Sequence, residues 1–338
     1  MSDSILVTGG AGYIGAHTCK ALARAGYQPI AFDNLSRGHR DFVRWGPLIL
    51  DDIRDHDAVV RACRAYDVRA VIHFAAFAYV GESVANPLMY YDNNVCGTVS
   101  LLTALKAARV ENIIFSSTCA VYGNPERLPI SEDAPLRPIS PYGTSKALAE
   151  QILADSARAH GFRYIILRYF NACGADPDGE IGELRDPESH LIPRAMMSEQ
   201  GYIDNLCIFG TDFETPDGTA IRDYIHVSDV ANAHVDALRR ILDDLTVGIF
   251  NLGTGRGYSV REVFQMIERV IERPLSVVYA GRRLGDPAAL IADASRARRE
   301  LKIETRYSDL ETIVRSAWQW HQQAHPQTSR NNRSTDGR

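Results

Sequence analysis

The sequence predicts an α/β fold, a doubly wound parallel sheet followed by a smaller C-terminal lobe. Three observations lead there. A short apolar run, Ser4-Ile5-Leu6-Val7-Thr8, ends in a glycine turn, Gly9-Gly10-Ala11-Gly12-Tyr13-Ile14-Gly15. Apolar runs of strand length then alternate with helical stretches as far as residue 172. Beyond that point glycine, proline and acidic residues dominate 174–188, and the later elements are shorter and mixed.

Ser4–Thr8 reads as a buried first strand. From Tyr13 to Ala25 the pattern is helical, with Ile14, Cys19, Leu22 and Ala23 apolar, and Gly26 ends the helix. Pro29-Ile30-Ala31-Phe32-Asp33 is the second strand. Strand, glycine turn, helix and strand make one βαβ unit of Rossmann type, whose glycines let backbone approach a pyrophosphate at the helix N-terminus. The spacing is G-x-x-G-x-x-G rather than the stricter G-x-G-x-x-G, with Gly10 as a further glycine. Asp33 follows Gly15 by 18 residues. An acid there accepts from the adenosine ribose hydroxyls and repels a 2′-phosphate, which favours NAD over NADP.

Leu48-Ile49-Leu50 leads into Asp51-Asp52-Ile53, a strand end near the adenine. Ala70 to Phe74 reads as a buried parallel strand, and 87–108 as a long helical stretch. Asn112 to Ser117 is the next strand and delivers Thr118 at its carboxyl end, where such sheets bind ligands. Residues 123–141 form a proline-rich loop, Pro141 starts a helix, and Arg163–Arg168 is a further strand. The expected division is a dinucleotide-binding domain at 1–172 and a lobe at 173–325 that closes over the sheet to hold substrate. Some segments of that lobe return to the first domain, and 326–338 is a polar, disordered tail.

The 338 residues, 45% of them apolar, are enough for a sizeable core. A net charge of -5 without a basic stripe argues against nucleic-acid binding. No apolar run approaches the ~18 residues of a membrane span, and the first strand begins too early for a signal peptide. Cys19, Cys63, Cys96, Cys119, Cys173 and Cys207 are scattered, without C-x-x-C or histidine pairs at metal spacing. A cytoplasmic protein with no metal is the expectation, with Cys119 a packing residue rather than a nucleophile.

The chemistry centres on Tyr142-Gly143-Thr144-Ser145-Lys146. A tyrosine four residues before a lysine puts phenol and ammonium on one face of a helical turn. The ammonium is expected to lower the phenol from about 10 towards neutrality. With Thr118 at the preceding strand end, a hydroxyl, a phenol and an ammonium converge beside a dinucleotide. That set suits proton removal from a carbinol whose carbon-bound hydrogen passes to NAD.

At this point the sequence resembles the extended short-chain dehydrogenase/reductase family, and within it the UDP-galactose 4-epimerases. The matching text includes Thr8 to Gly15, Asp33-Asn34, Gly81-Glu82-Ser83, Tyr91 to Val95, Phe115 to Thr118 and Val121-Tyr122-Gly123. It continues with Ser140 to Gly143, Leu167 to Asn171, Gly218 to Val227, Asn251 to Gly255, and Arg283 with Gly285-Asp286, so that it spans about residues 3–325. The resemblance implies reversible 4-epimerisation of UDP-galactose and UDP-glucose through a 4-keto sugar, with NAD tightly bound, in a homodimer. It implies Tyr142 as base, Lys146 as its electrostatic partner and ribose anchor, and Thr118 as a hydrogen bond to the sugar 4-oxygen. Cofactor contacts would fall on Gly9, Gly12, Tyr13, Ile14, Gly15, Asp33, Asn34, Asp52, Ile53, Phe74, Ala75, Asn93, Tyr142, Lys146 and Tyr169. The UDP-sugar would meet Thr118, Tyr142, Asn171, His190, Leu191, Phe209, Arg222, Arg283, Asp286 and Leu290. Arg222, Arg283 and Asp286 would grip the diphosphate and uridine ribose, as guanidinium forks suit phosphate.

The sequence departs from the pattern in places. Ala78 stands where many members carry a lysine near the cofactor pyrophosphate. His190 replaces an asparagine, and Leu290 occupies the position that gates sugar size. A nucleotide-sugar 4,6-dehydratase would need Asp-Glu directly after Thr118, where this chain has Cys119-Ala120. Two further readings are a dehydrogenase that releases NADH and a binding protein without catalysis, which would not need Tyr142, Lys146 and Thr118 together. The segment Ala78 to Ser83 also looks like that of UDP-xylose 4-epimerases, so a UDP-xylose/UDP-arabinose role is the runner-up.

Overall fold

The computed structural model describes residues 2–243, 248–283 and 286–324. Its first half runs β1 (Ser4–Thr8), α1 (Tyr13–Arg24), β2 (Gln28–Asp33), β3 (Leu48–Leu50), α2 (His56–Ala65) and β4 (Val68–His73). There follow α3 (Val80–Ala85), α4 (Pro87–Tyr90), α5 (Gly97–Ala108), β5 (Asn112–Thr118), α6 (Pro141–His160), β6 (Arg163–Tyr169) and β7 (Asn171–Cys173). The second half adds α7 (Leu191–Glu199), β8 (Leu206–Phe209), β9 (Ile221–His226), α8 (Val227–Leu242) and β10 (Gly248–Leu252). It ends with β11 (Gly257–Ser259), α9 (Val260–Ile271), β12 (Val277–Ala280), β13 (Ala289–Leu290) and α10 (Leu310–Ala324).

Seven strands form one all-parallel sheet in the order β10-β6-β5-β4-β1-β2-β3. The winding reverses between β1 and β4, and a crevice opens beyond their carboxyl ends. Alternate residues of β1 feed opposite faces: Ile5 and Val7 pack with Leu22 of α1 and Leu238 of α8, while Leu6 packs with Val59, Leu105 and Leu153. The doubly wound sheet read from the sequence is thus observed, flanked by α1 and α8 on one face and by α2, α5 and α6 on the other.

Element by element the agreement is close. α1 ends at Arg24, and Gly26 follows with φ +88°, a left-handed turn that glycine adopts without strain. The stretch 87–108 is helical throughout, but Tyr91–Cys96 is a π turn between α4 and α5. Apolar periodicity does not announce such a turn; its effect is to aim Asn93 and Asn94 inward. Asn94 then accepts from the Phe77 amide (2.8 Å) and donates to the Ser145 hydroxyl (3.0 Å), tying the β4–α3 loop to α6.

Past residue 172 the chain builds smaller sheets, β11-β9-β13 with β7 on β9, and β8 with β12. Within the same span, β10 joins β6 in the main sheet and α8 packs on α1. The expected tail, 326–338, lies outside the described residues.

Candidate active site

The glycine turn forms the floor of a cleft at the switch point. Gly9 has φ +72°, and a Cβ there would stand 2.7 Å from the Ala75 nitrogen. A Cβ on Gly15 would come within 2.1 Å of the Gly9 carbonyl oxygen. These positions therefore hold glycine, and backbone amides face the cleft at the start of α1. At the end of β2 the Asp33 carboxylate accepts from the amides of Ala11 (3.0 Å) and Leu35 (2.8 Å), while burial raises its pKa. Asn34 donates to Asp52 (2.8 Å), whose carboxyl is held at about 2 chiefly by its bonds from Arg54. Gly9, Gly12, Tyr13, Ile14, Gly15, Asp33, Asn34, Asp52, Ile53, Phe74, Ala75, Asn93, Tyr142, Lys146 and Tyr169 all line this one cleft. An extended dinucleotide fits it: an acid at one end, a close-approach glycine turn in the middle, a phenol and an amine at the other.

The reactive end is set by α6 and β5. Ser140 caps α6, accepting from the Gly143 amide (3.2 Å), and Pro141 takes the first helical position. The capped helix then carries Tyr142 in its first turn and Lys146 one turn later. Thr118 ends β5 and is near enough to the Tyr142 phenol to lower its pKa, yet burial dominates and pushes the phenol up to about 12. Lys146 is buried, its Nζ 4.5 Å from the centre of the Phe115 ring, and burial lowers it to about 7 against the pull of Glu150. The expectation that Lys146 drives the phenol towards neutrality is therefore corrected. Desolvation outweighs Coulomb attraction at both groups, so that burial disfavours the ammonium as well as the phenolate.

Beneath Thr118 lies a buried polar network that fixes the strand end. Glu150 of α6 accepts from Ser117 and from Arg168 of β6 (2.6 Å). Arg168 donates to the Tyr122 hydroxyl (2.9 Å), which donates to Asn251 of β10 (2.7 Å). Ser117, Tyr122, Arg168 and Asn251 all belong to the motifs matched in the sequence; they hold the backbone of the site rather than facing the cleft. Such a closed network is rigid because every member is satisfied. Cys119 is buried with its thiol raised to about 12, as a packing residue would be.

The residues expected to meet the sugar nucleotide fall into separate places. Arg222 on β9 lies 3.8 Å from Asp286, Arg283 lies 2.8 Å from the same carboxylate, and the Arg283 guanidinium sits 5.0 Å over the Phe209 ring. Leu290 on β13 pairs in register with Arg222 and is buried among Cys119, Val121, Tyr122, Ile130 and Phe170. Its packing therefore connects the arginine group to the segment after Thr118. Asn171 opens β7, opposite Tyr224 of β9. His190 and Leu191 lie at the start of α7, with His190 Nδ1 2.7 Å from Glu183. These two sit on α7 rather than among the arginine group, although Leu191 packs with the cluster that holds Ile208 and Tyr224, and Gly285 of that motif is outside the described residues.

Sequence reasoning missed one wall of the cleft. Ser36, Arg37, Phe77, Tyr79, Glu82, Ser116, Leu184 and Arg185 also line it. Glu82 stood in a matched motif and Phe77 beside Ala78, but Leu184 and Arg185 come from the glycine-rich stretch 174–188, which carries no periodicity to read.

Comparison with known proteins agrees with this geometry. The model of the NAD dependent epimerase/dehydratase family matches residues 5–253. A UDP-glucose 4-epimerase of Rhizobium meliloti is 49% identical over 320 residues, covering 95% of this chain and 97% of that protein. The crystal structure of UDP-glucose 4-epimerase from Brucella ovis in complex with NAD superposes with a TM-score of 0.92 at 55% identity, over 94% of this chain and 98% of the other. That of UDP-glucose 4-epimerase from Stenotrophomonas maltophila, with bound NAD and formylated UDP-arabinopyranose, gives 0.92 at 39% identity, over 95% and 98%.

Proposed function

The chain belongs to the NAD dependent epimerase/dehydratase family, and within it we propose that this protein interconverts UDP-glucose and UDP-galactose by inverting C4, with NAD tightly held. The observation that carries this reading is the dinucleotide cleft that Tyr142 and Lys146 both line at one end, beside the strand end that carries Thr118.

NAD, when bound, would supply a hydride acceptor and a positively charged ring. The chain's own residues handle the proton and the position. Tyr142 takes the proton of the 4-hydroxyl and returns it after the sugar turns over. Thr118 bonds the same oxygen and orients it. Lys146 anchors the nicotinamide ribose and, when charged, favours the phenolate. Arg222 and Arg283 hold the diphosphate, with Asp286 aligning both guanidinium groups. Asn171, His190, Leu191 and Phe209 line the nucleotide and sugar side, and Leu290 is the wall against which the sugar rotates. In this arrangement residues 1–172 carry the cofactor and most of 173–325 carries the UDP-sugar, with α8 and β10 returned to the first domain. Cys119 and Ala120 leave no acid–base pair after Thr118 for dehydration.

The direct test is to incubate the purified protein with UDP-galactose and no added NAD. UDP-glucose should accumulate without stoichiometric NADH release. Release of NADH would instead indicate a dehydrogenase. A pentose reading also has a specific support, the UDP-arabinopyranose derivative bound by the Stenotrophomonas relative. A substrate panel that includes UDP-xylose decides between them.

No helix of the described residues is long and apolar enough to cross a membrane, and we place the enzyme in the cytoplasm. We further infer a homodimer. Val84, Leu88, Val99 and Leu148 are exposed on α3, α4, α5 and α6, helices that touch one another. Exposed apolar side chains on helices that touch one another are suited to burial against a second copy of the chain. Light scattering of wild type and Leu88→Glu should give a dimer and a smaller species.

A further inference from the structure

Residues 174–188 form a strap from the end of β7 to the start of α7, tied to the cofactor half at several points. The Tyr13 hydroxyl donates to the Gly174 carbonyl (2.6 Å), and His39 Nε2 contacts the Leu184 carbonyl (2.9 Å). Buried Lys20 on α1 pairs with Asp176 (2.6 Å), Asp178 (2.8 Å) and Glu180. From the other side, the Trp320 indole donates to the Glu183 carbonyl (3.0 Å). Between these ties the strap inserts Leu184 and Arg185 into the wall of the cleft.

Arg185 is unlike the other cations there. Its side chain is 16% exposed, its Nε lies 2.8 Å from Glu183, and its guanidinium sits 5.2 Å from the centre of the Tyr79 ring. Its guanidinium is held by Glu183 on one side and a ring on the other, and the residue lines the cleft. Its charge is felt at Tyr13, Tyr79, Tyr142 and Tyr169, groups that run from the glycine turn to the reactive end. Of the remaining cleft cations, Arg37, paired with Glu82 and lying over the same Tyr79 ring, is more exposed at 37%, and Lys146 is lowered to about 7 by burial.

We propose that Arg185 is a ligand of the cofactor's pyrophosphate, so that the strap from the second half of the chain, and not only the glycine turn, holds the dinucleotide. The placement follows from charge: a dinucleotide crossing this cleft brings two phosphate charges past the start of α1. A preorganised guanidinium fork on the opposite wall is the donor geometry that phosphate oxygens accept. The proposal rests on the NAD reading above.

It is tested on the full-length protein, stripped of nucleotide and titrated calorimetrically with NAD and with ADP-ribose. Folding of each variant is checked by circular dichroism. Arg185→Met should weaken both ligands by about 10–100-fold, the scale of a charge-assisted hydrogen bond, and Arg185→Lys should recover part of the loss. Glu183→Gln removes the ion pair but leaves the guanidinium, and should bind NAD at least as well as wild type. Equal losses in Arg185→Met and Glu183→Gln would mean that the ion pair matters only to the shape of the strap, and would overturn the assignment. So would unchanged binding in Arg185→Met, or a loss for NAD that ADP-ribose does not share, which moves Arg185 to the nicotinamide. Wild-type protein that binds neither ligand refutes the cofactor reading itself, a distinguishable result.

Discussion

At the scale of single residues, burial rather than spacing decides the chemistry. Tyr142 and Lys146 were legible because their four-residue separation follows from helix geometry. Their ionisation was not, since a phenol at about 12 and an amine at about 7 reflect a wall of protein that no spacing encodes. Tyr142→Phe should lower turnover of UDP-galactose by roughly 10²–10⁴-fold, the usual worth of a positioned acid–base group. Bound NAD, read by absorbance after denaturation, should be unchanged. Near-normal turnover would remove Tyr142 from the mechanism. Leu290 makes a second prediction. Its side chain is 8% exposed and packed against the segment after Thr118, and such a wall resists intrusion at a cost of about 1–3 kcal/mol. UDP-N-acetylglucosamine should therefore turn over poorly, and Leu290→Ser should raise its rate relative to UDP-glucose. A ratio that does not move would show the gate to lie elsewhere.

At the scale of elements, the sequence was most readable where one interaction repeats. The strands β1, β2, β4, β5 and β6 and helix α1 declared themselves by apolar runs and by glycines with positive φ. The π turn at Tyr91–Cys96 and the strap at 174–188 did not, because they are held by particular side-chain hydrogen bonds and ion pairs scattered through the chain. The strap is the clearer case. Its anchor, Lys20, lies on α1, more than 150 residues from its partners Asp176, Asp178 and Glu180. Lys20→Met should leave the buried Asp176 uncompensated and destabilise the fold by about 3 kcal/mol, towards the lower end for a broken buried pair because Asp178 and Glu180 are half-exposed. Denaturant melts of the two proteins measure this directly. A difference below about 0.5 kcal/mol, the range of ordinary surface substitutions, would show that the strap is held by its other ties.

At the scale of the molecule, the same desolvation that tunes the site makes the fold sensitive to acid. His17 and His234 are lowered to about 4, and His73 and His226 to about 3, each chiefly by burial. His73 bonds Thr8 (2.7 Å) at the end of β4, His234 of α8 lies against Phe74 and Tyr169, and His226 at the end of β9 lies against Ser316 and the Tyr307 ring. In the unfolded chain each takes up a proton near pH 6.5, whereas the folded chain does so only near 3 to 4. Between those values the unfolded state binds more protons, so stability is full above pH 6.5 and declines as pH falls. Each histidine costs about 1.4 kcal/mol per pH unit once the unfolded form is titrated. Four together reach roughly 5 kcal/mol per unit at the steepest, before carboxylates raised by burial, such as Asp33 and Asp223, begin to oppose the trend near their own range. The clean window is therefore pH 6.5 to 5. Urea midpoints measured there at one fixed NAD concentration, because bound ligand adds its own stability, should fall steadily below the value at pH 7.5. His234→Phe preserves the ring packing between Phe74 and Tyr169 and should shallow that fall by about a quarter. Midpoints that stay flat from pH 7.5 to 5 would show that these histidines do not titrate differently in the folded and unfolded protein, and would overturn the assignment.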